Sequence, residues 1–319
     1  MSEFITIGEP LVVFCSTEPD VSLTDAVNFR KVIGGAELNV AIGLRRLGHT
    51  VDYITQVGMD PEGDFICKKI HDMHIGTRYL YQTSDHLTGY QMKQLVSKGD
   101  PYVYNFRNDS AAANFDINKL SDLDLRQTRF AHITGIFPAL SRKTYNMTLA
   151  LMKKLNQRNI TITFDPNLRL QLWEDQATMV KTINYLAQYA DIMMPGQSEG
   201  KVLTGYENPD KIANFYLSNG QTKVVFVKVG SKGSFFKAKT GETGFIDSFK
   251  VKKVVDTVGA GDGFALGVIS ALMEDKTYSQ AAKRGNAIGA LQVQVHGDND
   301  GYPNRTELEQ FYKENGVNE

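Results

Sequence analysis

Short apolar runs alternate with amphipathic stretches along most of this chain. Residues 4–7, ending at Gly8, read as a first strand, and 11–15, after Pro10, as a second. Runs at 50–57, 129–134, 160–164, 190–194 and 223–228 are of strand length and rich in strand formers, so each predicts a further buried strand. Between several of them the apolar residues recur at helical spacing, at 39–47, 65–73, 142–157 and 176–188. Residues 232–247 read as hairpin-rich β structure, and 260–273, 279–293 and 305–314 as three more helices. Strands alternating with helices predict an α/β fold, three layers (α/β/α) around a mostly parallel sheet. Two stretches break the rhythm. Residues 11–33 and 78–107 hold strand formers without a helical pattern, and within them 87–96 and 102–107 read as strands of a small separate sheet. They predict a β-sheet lid built from two excursions of a single domain, 1–319. No internal repeat or low-complexity linker divides the chain.

Composition narrows the classes. The 319 residues carry 35 basic and 36 acidic side chains, a net charge of −1, so no basic field argues for a nucleic-acid partner. Cys15 and Cys67 are the only cysteines, too few for a disulfide scaffold or for paired C-x-x-C zinc ligands. The first residues lack the basic and apolar pattern of a leader, and no window is long enough to span a bilayer, so the expectation is a cytoplasmic protein with no membrane partner. Cys67, His71 and His74 share one helical face, but no fourth ligand accompanies them and a packed face is the plainer reading. His132, on an apolar strand, reads as a core histidine. Tyr102, Tyr104 and Phe106 alternate with period two, which predicts a buried face, in the lid or against a second subunit, and not a stacking platform for bases.

The strongest chemical signal is Asp256-Thr257-Val258-Gly259-Ala260-Gly261-Asp262-Gly263-Phe264, which leads from β-rich sequence into an apolar helix. Small residues at Gly259, Ala260 and Gly261 let the backbone turn tightly and aim several N–H groups outward at a helix N-terminus, where anions are favoured. Asp262 lies in the same first turn. A carboxylate base beside a preformed anion site suits transfer of a phosphoryl group to a hydroxyl. Taken alone, the same residues are as well read as a turn and a helix cap, and they are not a G-x-x-x-x-G-K-[ST] loop. A second signal is Gly34-Gly35-Ala36-Glu37-Leu38-Asn39-Val40-Ala41. Its glycine pair allows close backbone approach, and Asn39 offers both a donor and an acceptor. Alone, it too is simply a strand–helix turn.

Together these residues resemble the ribokinase-like (PfkB) carbohydrate kinases. The family's N-terminal pattern, G-G-x-x-x-N-x-A, then L-G, then G-x-D-x-x-G, is met by Gly34, Gly35, Asn39, Ala41, Leu47, Gly48, Gly58, Asp60 and Gly63. Its C-terminal signature, D-T-x-G-A-G-D, is met in full by 256–262. The resemblance spans essentially the whole chain. It implies the ribokinase-like fold with a β lid, ATP and Mg2+ as cofactors, and Asp262 as the base that takes the acceptor hydroxyl's proton. The amides of Ala260, Gly261 and Asp262, reached through the turn at Gly259, would form the anion hole. The family's N-x-x-E motif helps to organise Mg2+; here it reads Gly196-Gln197-Ser198-Glu199, so Glu199 is the implied metal residue and Gly196 the departure. The nucleotide is expected along Lys228-Val229-Gly230-Ser231-Lys232-Gly233, with Asn286 beside the adenine.

Within the family, Glu37 after the glycine pair and the run Asp165-Pro166-Asn167-Leu168-Arg169 look most like the 2-keto-3-deoxygluconate kinases. That likeness implies a sugar-acid acceptor phosphorylated on its terminal hydroxyl. Gly34, Asn39, Tyr90, Arg107, Arg169 and Asp298 are the implied acceptor residues. Two guanidiniums suit a carboxylate, to which Arg makes directional, charge-assisted bonds. Relatives often carry Tyr two residues before the lid Arg, where this chain has Asn105. A fructokinase or other neutral-sugar kinase is the alternative within the family, because D-P-N-x-R occurs there too. A non-catalytic sugar-acid sensor on the same scaffold is the reading from another class, and the intact Asp262, glycine turn and Glu199 speak against it. A dinucleotide-dependent dehydrogenase lacks its G-x-G-x-x-G after the first strand. An exposed lid would have unpaired edges and an apolar face, which predicts a homodimer formed through it.

Overall fold

Most of the apolar runs line up as one nine-stranded sheet. The structure, a computed structural model, describes residues 2–99 and 101–317. Strands β1 (Phe4–Ile7), β4 (Val51–Gly58), β5 (Leu80–Thr83), β8 (Phe130–Thr134), β9 (Thr161–Asp165), β10 (Ile192–Met193), β11 (Val224–Lys228), β12 (Gly233–Ala238) and β13 (Thr243–Asp247) compose it. Across the sheet they run β13-β12-β11-β10-β9-β8-β1-β4-β5. All neighbours from β11 to β5 are parallel; β12 and β13 add an antiparallel edge. A second sheet, β3-β2-β6-β7, is made by β2 (Leu11–Ser16), β3 (Phe29–Gly34), β6 (Tyr90–Lys93) and β7 (Val103–Phe106).

Both faces of the large sheet are covered, which is why its strands read as nearly continuous apolar runs. Phe4, Val224 and Phe226 point into one core, against α1 (Ala36–Arg46), α2 (Pro61–Asp72), α7 (Ala260–Met273), α8 (Tyr278–Gln292) and α9 (Arg305–Glu314). The alternate residues Ile5, Ile7, Val225 and Val227 point into the other. That second core also holds α3 (Arg142–Gln157), α4 (Gln176–Ala187), α5 (Gln197–Thr204) and α6 (Pro209–Ser218). His132 is buried in β8 with Nδ1 2.9 Å from the Thr163 hydroxyl, and burial pushes its pKa down to about 3, so it is a neutral core residue.

Three elements differ from the sequence reading. The second excursion, expected over 78–107, yields Leu80–Thr83 to the large sheet, where the strand pairs with β4. The lid's share therefore begins after Thr83. Helices α5 and α6 were not expected; α5 is only eight residues long and carries Gly200, so it shows too few periodic positions to be recognised.

Helix starts divide by location. Among the described residues, six helices are capped by the side chain that precedes them: Asp60, Ser141, Asp175, Asn208, Thr277 and Asn304. The other three, α1, α5 and α7, start at Gly35, Gly196 and Gly259 without a side-chain cap. The first turns of those three open onto one cleft. It lies outside the carboxyl ends of the strands, beside the reversal of sheet order between β1 and β8, where open α/β sheets bind ligands.

Candidate active site

Two cavities meet at the start of α7. One, of about 550 Å³, lies between the carboxyl ends of the large sheet's strands and the inner face of the lid. The other, of about 330 Å³, lies between the turn after β11, the end of β13 and helix α8. Lys228, Thr257 and Gly261 border both, so a molecule in one reaches the other past these three residues.

Gly259 shapes the junction. It adopts φ 77°, and a side chain there would run into the Asp298 carbonyl, so glycine is required on both counts. Its carbonyl accepts a hydrogen bond from the Tyr302 hydroxyl at 2.7 Å, and the preceding Val258 carbonyl accepts one from Gln292. The turn is thus held from behind while its amides face the cavities. The first-turn amides at Gly261 and Asp262 have no carbonyl of their own helix to donate to, which leaves them available to an anion.

Asp262 sits on the floor of the larger cavity. Its Oδ2 accepts from Asn39 Nδ2 at 2.9 Å and its Oδ1 from Asn167 Nδ2 at 3.2 Å. Asn39 comes close because α1 packs tightly on α7, with Gly43 against Leu266, where a larger residue would clash. Burial raises the Asp262 pKa to about 7; the Asn39 hydrogen bond and the charges of Arg169 and Lys228 oppose the rise, and Asp165 adds to it. A carboxylate poised near neutrality is matched to accepting a proton.

Behind Asp262, Lys228 Nζ lies 2.6 Å from Asp165 Oδ2. Burial disfavours the ammonium, but Asp165, Glu199 and Asp262 outweigh it, and its pKa is raised. Lys228 therefore presents a fixed positive charge where the cavities join. Glu199 Oε1 accepts from the Leu168 amide at 2.8 Å and Oε2 from the Gly196 amide at 2.6 Å. Its carboxylate fastens the loop that carries Asn167 and Arg169 to the start of α5.

The sequence-predicted residues separate into two groups. Asn39, Arg107, Arg169, Asp298, Glu199, Lys228, Gly259, Gly261 and Asp262 all border the larger cavity, and Lys228, Gly230, Ser231, Gly233, Ala260 and Asn286 the smaller one. Asn286 is buried and donates to the carbonyls of Ile246 and Asp247, which ties α8 to β13 beside that cavity. Two residues do not fit. Tyr90 is not on the cavity wall: it stacks on Phe106 at a centroid distance of 4.6 Å on the opposite face of the lid. Side chains alternate along β6, so Gln91 and Lys93 face the cavity instead. Gly34 stands one position behind the wall, which begins at Gly35; its missing side chain leaves room for the Asp298 carboxylate.

Several cavity residues were not expected. Glu9, just after β1, is buried, and its Oε2 pairs with Nε of Arg107 at 2.6 Å while Oε1 accepts from the Ser110 hydroxyl. Arg107 is therefore half committed to a carboxylate of its own chain. Glu37 is buried beneath this pair, and burial raises its pKa to about 7 while the Thr134 hydroxyl bond and the Arg107 charge oppose. Lys93 reaches Asp256 and Asp298. Strand-end position at the sheet's reversal was the available signal for Glu9, and period-two register with Gln91 the signal for Lys93.

Comparison with known proteins gives the family and the fold. Residues 1–314 match the family model described as pfkB family carbohydrate kinase. A 2-dehydro-3-deoxygluconokinase of Bacillus subtilis (strain 168) is 42% identical over 308 residues, covering 96% of this chain and 94% of that protein. The crystal structure of a PfkB protein from Polaromonas sp. JS666 superposes with a TM-score of 0.88 at 37% identity, over 97% of this chain and 99% of that one. A sugar kinase from Pyrococcus horikoshii in complex with ATP superposes with a TM-score of 0.83 at 25% identity, over 96% and 97%. The chain belongs to the pfkB family of carbohydrate kinases.

Proposed function

We propose that this kinase transfers the γ-phosphoryl group of ATP to the terminal hydroxyl of 2-keto-3-deoxygluconate. The observation that carries the reaction is the Asp262 carboxylate at the join of two cavities, one beside the first-turn amides of α7 and the other lined by sugar-sized polar groups. The acceptor's O–H bond breaks as its oxygen bonds to the γ-phosphorus; the proton passes to Asp262, and the bond from phosphorus to the bridging oxygen breaks to release ADP. Lys228 and the amides at Gly261 and Asp262 offset charge on the transferring group.

The acceptor assignment rests on Arg107 and Arg169, which both border the larger cavity, and on the similarity to the Bacillus subtilis 2-dehydro-3-deoxygluconokinase. A neutral sugar requires neither guanidinium. For Mg2+, the carboxylates near the join besides Asp262 are Glu199, on the wall of the larger cavity, and Asp165, behind Lys228, and both are already engaged, by backbone amides and by Lys228. Among the described residues no cluster of three or more His, Cys, Asp or Glu is arranged to hold a metal. This donor set fits an ion held by the nucleotide's phosphates and reached through water, the usual habit of Mg2+ in such sites. When bound, the ion neutralises phosphate charge. The reading includes a cytoplasmic location, the expectation from the sequence; among the described residues no helix is long and apolar enough to cross a membrane.

The reading includes a homodimer through the lid. Tyr102, Tyr104 and Phe106 leave 59%, 51% and 41% of their surfaces exposed on and beside edge strand β7, an apolar face a second copy would cover. Light scattering at micromolar concentration tests it, and a monomeric mass would overturn it. The reaction is tested by ADP release with 2-keto-3-deoxygluconate, fructose and ribose. Turnover concentrated on the sugar acid is expected; preference for fructose would overturn the substrate, and full turnover by Asp262→Asn the base.

A further inference from the structure

The amide of Asn39 has a donor end and an acceptor end, and only one arrangement suits an ionised neighbour. Its Nδ2 lies 2.9 Å from Asp262 Oδ2, and its Oδ1 accepts from Asn299 Nδ2 at 2.9 Å. Asn39 and Asn299 are buried, 2% and 6% exposed. A carboxylate can only accept, so Asn39 must turn its NH2 toward it, which leaves its carbonyl oxygen facing Asn299 and in need of a donor. Rotated by half a turn, Asn39 would present oxygen to Asp262, and only the protonated acid would tolerate that contact.

We propose that Asn299 is a positioning residue: by donating to Asn39 it fixes which end of that amide meets Asp262, and so holds the base in its proton-accepting form. This rests on the reading of Asp262 as the base. Asn299 is itself fastened, because its carbonyl accepts from Arg46 of α1 at 2.6 Å, so the donor is locked to the helix that carries Asn39. The other groups around Asp262 do not substitute for it. Asn167 supplies a separate donor to Oδ1; Arg169 and Lys228 favour the ionised form, and Asp165 opposes it. On the same wall Asp298 is turned toward Lys93, and the Tyr302 proton is committed to the Gly259 carbonyl.

The test is the pH dependence of kcat/KM for the acceptor, measured for Asn299→Asp, Asn299→Leu and Asp262→Asn beside the native enzyme. Asn299→Asp offers Asn39 only acceptors, which draws the NH2 away from Asp262. The acid limb is expected to move up by about one pH unit, roughly a tenfold loss below the limb, with the alkaline plateau nearly kept. Asn299→Leu adds no charge, so an upward shift in that variant isolates the orientation of the amide; a smaller move in the same direction is expected. A loss that is equal at every pH, with the limb unmoved in the folded variants, marks a merely structural residue and overturns the proposal. If Asn299→Asp does not fold, Asn299→Leu and Asn299→Ser carry the same measurement. The two failures are separable: an inactive Asp262→Asn with unmoved limbs sinks only the role of Asn299, whereas an active Asp262→Asn sinks the base and this inference with it.

Discussion

Lys93, on the inner face of the lid, sets its ammonium 3.0 Å from Asp256 and 3.8 Å from Asp298, so a lid side chain is bound to both segments that frame the α7 turn. Asp256 in turn accepts from the Val258 amide at 3.0 Å, one residue before Gly259. The position of the lid and the shape of the anion-facing turn are therefore coupled through one nearly buried cation.

Lys93→Met removes that cation and leaves two carboxylates facing each other. A hydrogen bond to a charged group contributes about 1.5–3 kcal/mol, which corresponds to a fall in kcat of roughly tenfold to a hundredfold. The KM for ATP should change by less than about threefold, because the smaller cavity, where the nucleotide is proposed to lie, is bordered by Asn286, Phe249 and the 230–233 turn and not by Lys93. Lys93→Arg should recover part of the loss. Steady-state kinetics with both substrates varied checks it, and an unchanged kcat would remove the coupling.

Arg107 illustrates why a simple alanine substitution misleads. Its partner Glu9 is 2% exposed, so Arg107→Ala leaves a buried carboxylate without its cation, a destabilisation of about 3–5 kcal/mol. Lower activity in that variant would not separate acceptor binding from stability. The pair Glu9→Gln with Arg107→Met removes both charges together. It should regain most of the lost thermal stability and still raise the acceptor KM at least about tenfold, since the carboxylate's charge-assisted bonds are gone. Thermal melts and acceptor KM for the single and double variants decide it; recovery of both quantities together would show that Arg107 only balances Glu9.

The parts of the site that were legible in the sequence are those with a local cause. The α7 turn is readable because Gly259, Ala260, Gly261 and Asp262 are contiguous and each has a backbone or charge reason to be there. The parallel strands are readable because burial on both faces leaves few polar positions in them. The lid was readable as β but not in register. A shift of one residue in β6 exchanges Tyr90 for Gln91 and moves the aromatic ring to the outer face, and nothing within 87–96 fixes which parity faces inward. Glu9, Lys93 and Asn299 were missed for a different reason. Their partners Arg107, Asp256 and Asn39 lie far off in the chain, so their roles exist only once the elements are packed.

Away from the cleft, Glu274 at the end of α7 gathers His49, Arg284 and Arg305, and receives the Ser270 hydroxyl as well. Arg284 is 1% exposed, so losing this carboxylate takes a counter-charge from a deeply buried cation. Glu274→Gln should cost about 2–4 kcal/mol of stability and leave kcat unchanged, since none of the four partners borders either cavity. Burial alone would raise the Glu274 pKa, but the bonds from His49, Arg305 and Arg284 prevail and hold it well below the ordinary range. A folded-state pKa below the unfolded one gives stability that is present above pH 4.5 and lost as the pH falls further. Urea melts at pH 7 and pH 4 should show the variant's deficit shrinking on acidification; a deficit that does not change with pH would count against the network.

Asp262 has the opposite sign. Its folded pKa, near 7, stands above the ordinary carboxylate value of 3.8, so the folded state holds the proton more tightly than the unfolded chain does. Its contribution favours folding below about pH 4 and is lost as the pH rises through 7. The same holds for Glu37, whose buried carboxyl also titrates near 7. For Asp262 the difference sets a ceiling of about 4 kcal/mol, and the solvent that reaches the cleft floor reduces this to roughly 1–2 kcal/mol. Asp262→Asn keeps the shape and removes the buried charge, although one of the two amides that donate to the carboxylate, Asn39 or Asn167, must then turn to accept from the new NH2. It should therefore melt about 2–4 °C higher than the native enzyme at pH 8, with the gain vanishing near pH 5, while turnover is abolished. Melts across this pH range, run on the variant whose inactivity is established by ADP release, check both halves. A carboxylate kept here against its own stability cost is explained by proton transfer. If the Asp262→Asn variant gained no more stability over the native enzyme at pH 8 than at pH 5, the native group would carry no such strain.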